Sequence, residues 1–231
     1  MKIDREPYSQ YNLVRDMLAA VDVIRTFDPS VVQPTAEEIA ANGRLLLTGE
    51  GSSRLFPAKS AIMHSRRQGW PCVLHTEAGR QSQEYSLQDW SVLGMSNSGR
   101  TAEVIRLFNG LNESGQKSRY SLTALADSPL EAASKRGHVL KCGKEGAVAA
   151  TKSVVEQALF CRGLVEAIAG KQTLVGKLAE LAKNVETALT LTVDPEITSK
   201  LTKAGTIYFA GRNDGVAEEL TLKTNEITRK R

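Results

Sequence analysis

Apolar side chains in the first forty residues recur every three or four positions. Leu13, Val14, Met17, Leu18, Val21 and Ile24 share one face, the spacing of an amphipathic helix. That helix should end near Phe27-Asp28-Pro29, because proline cannot continue it. A second helix is expected from Thr35, where Thr35-x-x-Glu38 has the form of a capping box, to Asn42-Gly43. The pattern then changes. Short apolar runs at 45–48, 72–75, 92–95, 121–125 and 138–142 read as buried strands. Helical stretches separate them, at 54–68, at 101–114, and in a short segment opened by Ser128-Pro129; 77–88 fits neither period. A long helix follows over 151–170, another over 174–191, and Asp194-Pro195 opens a third. After Gly205 a strand over 206–210, a turn over 211–214 and a helix to the last residue are expected.

Five strands alternating with helices specify an α/β fold, a three-layer sandwich around a parallel sheet. Ligands in such sheets sit beyond the carboxyl ends of the strands. The chain divides into an N-terminal helical segment (1–43), a sheet-bearing domain (44–170), linking helices (171–204) and a final unit (205–231). One strand and one helix cannot form a sheet of their own. The final unit is therefore expected to begin a second, incomplete domain, or to dock elsewhere.

Composition narrows the class. The 231 residues can bury a full core. The net charge of +4 is mild and its cations are dispersed, except for Arg229-Lys230-Arg231, so no nucleic-acid stripe is indicated. Three cysteines, Cys72, Cys142 and Cys161, have no metal-ligand spacing and no even-numbered framework; no metal or other cofactor is expected. No signal-peptide core and no membrane-length apolar run is present, which predicts a cytoplasmic protein.

Three turns follow expected strands. Ser96-Asn97-Ser98-Gly99-Arg100-Thr101 lies between a strand and a helix. It offers three hydroxyls and a helix N-terminus to one anion, or else is an ordinary helix cap. Gly49-Glu50-Gly51-Ser52-Ser53 combines glycines for close backbone approach with hydroxyls that cap a helix or hold a ligand. Gly143 to Lys152 is a small-residue loop in which Thr151 is placed to cap a helix and Lys152 can reach an anion or Glu156.

Gly51-Ser52-Ser53, the Ser96–Thr101 turn, Glu145-Gly146-Ala147-Val148-Ala149-Ala150-Thr151-Lys152, Phe209-Ala210-Gly211-Arg212 and Glu219-Leu220-Thr221-Leu222-Lys223-Thr224-Asn225-Glu226 together resemble the sugar isomerase (SIS) domain family, as in the isomerase half of glucosamine-6-phosphate synthase. The resemblance runs from residue 44 onward. It implies a flavodoxin-like sheet, the start of a second SIS unit at 205–231, and a phosphorylated sugar as ligand. Ser96, Asn97, Ser98 and Thr101 would hold the phosphate, while Gly51, Ser52, Ser53, Val148 and Ala150 would line the sugar. Glu226 would be the general base and Lys223 its assisting cation. Read from spacing alone, Lys223 and Glu226 are a surface i,i+3 ion pair.

Two departures bear on the ligand. Arg100 stands where related synthases commonly carry an acidic residue, and Ala150 replaces a serine. Both point away from fructose 6-phosphate toward another phosphosugar, or a sugar with a different terminal anion such as sulfonate. No histidine matches the family's ring-opening element; His64 and His138 read as packing residues, and His75 stands at a strand end. Met1-Lys2-Ile3 supplies no cysteine nucleophile for glutamine hydrolysis. The reading is an aldose–ketose isomerase of a sugar phosphate, working through an enediol without a glutaminase domain. The alternatives are an amino-sugar-phosphate deaminase or deglycase, and a non-catalytic phosphosugar sensor. A homodimer or higher homo-oligomer is expected, with no nucleic-acid or membrane partner.

Overall fold

A computed structural model of the chain describes residues 6–228. Met1-Lys2-Ile3 and Arg229-Lys230-Arg231, singled out in the sequence, lie outside the described residues. Two helices come first, α1 (Asn12–Thr26) and α2 (Gln33–Asn42). The α/β part then runs β1 (Arg44–Gly49), α3 (Leu55–Arg67), β2 (Val73–Ala78), α4 (Gly79–Ser82), β3 (Ser91–Met95), α5 (Ala102–Glu113), β4 (Arg119–Thr123), α6 (Pro129–Ala132) and β5 (Arg136–Val139). Four helices follow: α7 (Lys152–Ile168), α8 (Leu178–Thr190), α9 (Pro195–Lys203) and α10 (Val216–Thr228).

The five strands form one wholly parallel sheet in the order β2-β1-β3-β4-β5, as the alternation of strands and helices predicts. Alternation along β1 splits the core. Leu45 and Leu47 face a cluster with residues of α1, α2, α3, α7 and α8, while Leu46 faces α5 and α6 with Val104, Leu107, Phe108 and Leu130. Burying each such leucine contributes about 2 kcal/mol. Strand order reverses about β1, whose two neighbours continue to opposite sides. Gly49 pairs with Met95 across β1 and β3, so the turns after these two strands leave the sheet side by side. This is the topological switch point at which such sheets open a crevice.

Three sequence expectations are corrected. Residues 206–210 are not a strand but irregular backbone, with Tyr208 91% exposed. Strand propensity is realised only through pairing, and no neighbouring strand lies beside them among the described residues. Thr35 does not cap a helix. Helix α2 begins two residues earlier, at Gln33, with Pro34 in its first turn; Thr35 is fully buried and its Oγ1 lies 2.8 Å from His138 Nε2. Its supposed partner Glu38 instead binds Lys135 Nζ at 2.6 Å, Arg136 Nη2 at 2.7 Å and the Tyr120 hydroxyl at 2.7 Å. The last strand also begins two residues before its expected start, and ends at Val139. Gly43 closes α2 in the left-handed conformation (φ +74°), as Asn42-Gly43 suggested.

Helix α10 packs on α3 rather than standing apart. Gly215, at φ +86°, lies so close to the Leu55 and Phe56 backbone that a Cβ there would overlap it. Glu218 forms an ion pair with Lys59, and a Cβ on Gly51 would lie 3.6 Å from Leu222 Cδ2. Helix α10 is thereby seated on the turn that follows β1.

The Lys135 hydrogen bond, joined by those of Tyr120 and Arg136, holds the Glu38 carboxyl down at about 2. Its contribution to stability is complete above the ordinary value near 4.5 and is lost as pH falls toward about 2. Glu38→Gln should therefore cost about 1–2 kcal/mol at pH 7, allowing for the exposure of Lys135. Urea unfolding from pH 7 to 2 should show the gap between variant and parent closing below pH 4.5.

Candidate functional site

The turn after β3 is built by its hydroxyls and by the end of β4. Ser96 Oγ and Thr101 Oγ1 are 2.7 Å apart, and Ser98 Oγ accepts the Arg100 N–H at 3.2 Å. The Ala124 N–H donates to Asn97 O at 2.9 Å, and the Leu130 N–H to Gly99 O at 3.1 Å. Gly99 adopts φ +63° with its Cα against Ser128, whose side chain a Cβ would overlap. Thr101 occupies the N-cap of α5 but spends its hydroxyl on Ser96; no side chain caps the helix. The ordinary-cap reading of this turn therefore does not hold. The first N–H groups of α5 take no side-chain cap and lie at the positive end of the helix dipole. Ser96 is buried, whereas Ser98 and Arg100 are exposed, and Arg100 makes no ion pair among the described residues.

The turn after β1 is a single helical turn, Gly51–Ser53, with Gly51 at φ +52°. Ser52 is buried with its Oγ unpaired, and Ser53 Oγ accepts a 3.5 Å hydrogen bond from Gln157 Nε2 of α7. Glu50 is turned away to accept the Gly79 N–H at 2.9 Å.

The loop before α7 differs from expectation at both polar ends. Thr151 holds the N-cap, yet the capping group is Glu145, which accepts the Thr151 and Ser153 N–H groups at 2.8 Å each. Lys152 does not pair with Glu156. It lies 3.2 Å from Asp16 of α1, while Glu156 accepts the Lys141 and Cys142 N–H groups. Between these anchors Val148 is wholly exposed and Ala150 partly so.

On α10, Lys223 Nζ lies 2.8 Å from Glu226 Oε2 and 3.5 Å from Glu219 Oε1. The Glu219 side chain is 13% exposed and neither of its oxygens takes a hydrogen bond. Leu222 brings this helix against Gly51 of the β1 turn. Among the described residues, no hydrogen bond or ion pair joins the pair to the Ser96–Thr101 turn. Sequence reasoning passed over Glu219, although its i,i+4 spacing to Lys223 marked it. It also passed over Asp16, Glu145 as a cap, and Gln157, whose partners lie too far along the chain to read.

The histidines and cysteines are placed for packing. Burial pushes His138 down to about 4, so it is neutral at pH 7 against Phe160 and Thr35. His64, lowered chiefly by burial, stands edge-on to Trp70, and exposed His75 packs beside Tyr85 and Trp90. Burial raises all three thiols, Cys161 to about 12. They are protonated and poor nucleophiles. No group of metal-binding side chains occurs among the described residues, and no helix there is long and apolar enough to cross a membrane.

No protein-family model matches the sequence, and no curated protein matches it significantly. Solved structures do match. A candidate phosphosugar isomerase from Silicibacter pomeroyi superposes with a TM-score of 0.80 at 19% identity, over 94% of this chain and 69% of that one. The C-terminal domain of glucosamine-fructose-6-phosphate aminotransferase from Francisella tularensis gives 0.71 at 17% identity, over 97% and 69%. Glucosamine-6-phosphate deaminase from Thermotoga maritima gives 0.71 at 20%, over 95% and 66%. At such identities the likeness is one of architecture, and it agrees with the resemblance carried by the motifs: the chain has the SIS-type fold of phosphosugar isomerases.

Proposed function

We propose that this chain is a member of the SIS family that binds a phosphorylated sugar in the crevice between the turns after β1 and β3 and interconverts its aldose and ketose forms. The observation that carries this reading is the uncapped start of α5 beside the Ser96–Ser98–Thr101 hydroxyls. A phosphate would accept from these N–H groups and hydroxyls together. Exposed Arg100 adds positive charge, compatible with a phosphate or another terminal anion such as a sulfonate. The sugar would then extend toward Ser52 and Ser53, with Val148 and Ala150 on the opposing loop.

Isomerisation moves one proton between neighbouring carbons and one between their oxygens. A Glu226 oxygen would take the first from the carbon next to the carbonyl and return it to the former carbonyl carbon, through an enediol, while the hydroxyl proton passes to the former carbonyl oxygen. Lys223, held between Glu219 and Glu226, would balance the negative charge that develops on the enediol oxygens. Phosphate anchoring would orient the reacting carbons and so contribute to rate as well as affinity. Removal of an amine from an amino-sugar phosphate could use the same proton transfer, and the deaminase fold noted above favours keeping that variant. Pairing of two copies, common for such domains, belongs to the same reading.

Glu226→Gln should bind glucosamine 6-phosphate or fructose 6-phosphate as the parent does but lose turnover by about 10²–10⁴-fold. Normal turnover by the variant would remove Glu226 from the mechanism, and binding without turnover by the parent would favour a sensor. Release of ammonia from the amino sugar would identify a deaminase. Ser98→Ala, at an exposed position, should leave the melting temperature nearly unchanged and weaken phosphate binding about tenfold by calorimetry, the loss of one hydrogen bond to an anion. Unchanged phosphate affinity would place the anion elsewhere.

A further inference from the structure

Helix α1 reaches 130 residues along the chain to hold the loop that precedes α7. Asp16 Oδ2 accepts the Gly146 N–H at 2.7 Å and the Ala147 N–H at 3.0 Å, and its Oδ1 faces Lys152 Nζ at 3.2 Å. One turn earlier, Asn12 Nδ2 donates to Gly146 O at 2.9 Å. The fit leaves no slack, since a Cβ on Gly146 would stand 3.1 Å from the Asn12 side chain and 3.3 Å from Asp16 Oδ2. Asp16 itself is 7% exposed. A buried carboxylate that meets two backbone donors and a cation is fully satisfied and hard to displace. The far side of the same loop is closed by Glu145 on Thr151 and Ser153.

We infer that Asp16 is a positioning residue for the sugar-binding loop: it fixes the Gly146–Ala147 backbone so that residues 148–150 face the ligand already in place. The inference rests on the phosphosugar reading above. Two consequences follow from the geometry. The loop's ordering cost is met on folding and not on binding. Lys152, whose charge Asp16 balances, is withheld from the ligand's anion, leaving that anion to the Ser96–Thr101 turn. Asp16 would therefore govern recognition of the sugar and not of the phosphate.

Calorimetric titrations with glucosamine 6-phosphate and with inorganic phosphate separate the two. In Asp16→Ala the sugar phosphate should bind about tenfold more weakly, while inorganic phosphate binds at least as tightly because Lys152 has lost its partner. Asp16→Asn, which keeps an acceptor for the loop, should recover most of the affinity for the sugar phosphate. If Asp16→Ala fails to fold, Asn12→Ala at an exposed position gives the same readout, with about threefold weaker binding of the sugar phosphate alone. Equal loss for both ligands, or no loss for either, overturns the positioning role. If the parent protein binds inorganic phosphate but no member of a panel of pentose, hexose and amino-sugar phosphates, the phosphosugar reading fails and the inference fails with it.

Discussion

A parallel sheet grows only by sending each connection back across one of its faces, so the choice of face after each strand decides where the surface opens. In this chain the choice changes at β1. The connection through α3 leads to β2 on one side, and the connection through α4 leads past β1 to β3 on the other. The turns leaving β1 and β3 then diverge from adjacent strand ends, and the Ser52, Ser53, Ser96, Ser98 and Thr101 hydroxyls stand on them. Two close approaches keep the pair in place: a Cβ on Gly49 would lie 2.7 Å from Met95 O, and Gly99 abuts Ser128. Hydroxyls fill the space that larger side chains would otherwise occupy.

Buried or half-buried carboxylates act as fasteners around the sheet. Asp16 holds the loop before α7, Glu145 caps that helix, Glu156 receives the two N–H groups after β5, and Glu166 receives the Leu174 N–H and the Thr173 hydroxyl. Glu38 joins α2 to Tyr120 of β4 and to the start of β5. All but Glu38 replace missing backbone bonds with charge-assisted ones, about twice as strong as a neutral hydrogen bond. The helices around the sheet are thus joined by polar contacts where connecting loops leave backbone groups unpaired, and by apolar packing elsewhere.

Much of this was legible in the sequence because it is local. The strand-helix alternation, the left-handed Gly43, the Ser128 cap before α6 and the Asp194 cap before α9 each depend on a few neighbouring residues. The three strand-end turns were legible for the same reason. What escaped was non-local competition for the same atoms. Thr35 and Glu38 satisfy a capping pattern, but β4 and β5 offer them buried partners that a helix end cannot match. Lys152 and Glu156 are spaced as a helical pair, yet each has a better partner outside the helix. The run 206–210 has strand composition and, among the described residues, lacks a strand to pair with. Glu219 lay in the open as one of two adjacent acids, and only packing against the body of the protein separates it from Glu218, which pairs with Lys59.

The contact at Gly215 has a meaning beyond packing. With no side chain between α10 and the Leu55–Phe56 backbone, the helix bearing Lys223 and Glu226 rests directly on the segment that continues from the β1 turn. Together with the Lys59–Glu218 ion pair and the Leu222 contact, one hydrogen atom acting as a shim sets how closely the groups proposed for proton transfer approach the β1 turn. Any side chain at this position would lift the helix off that segment, without altering a single residue proposed to meet the ligand.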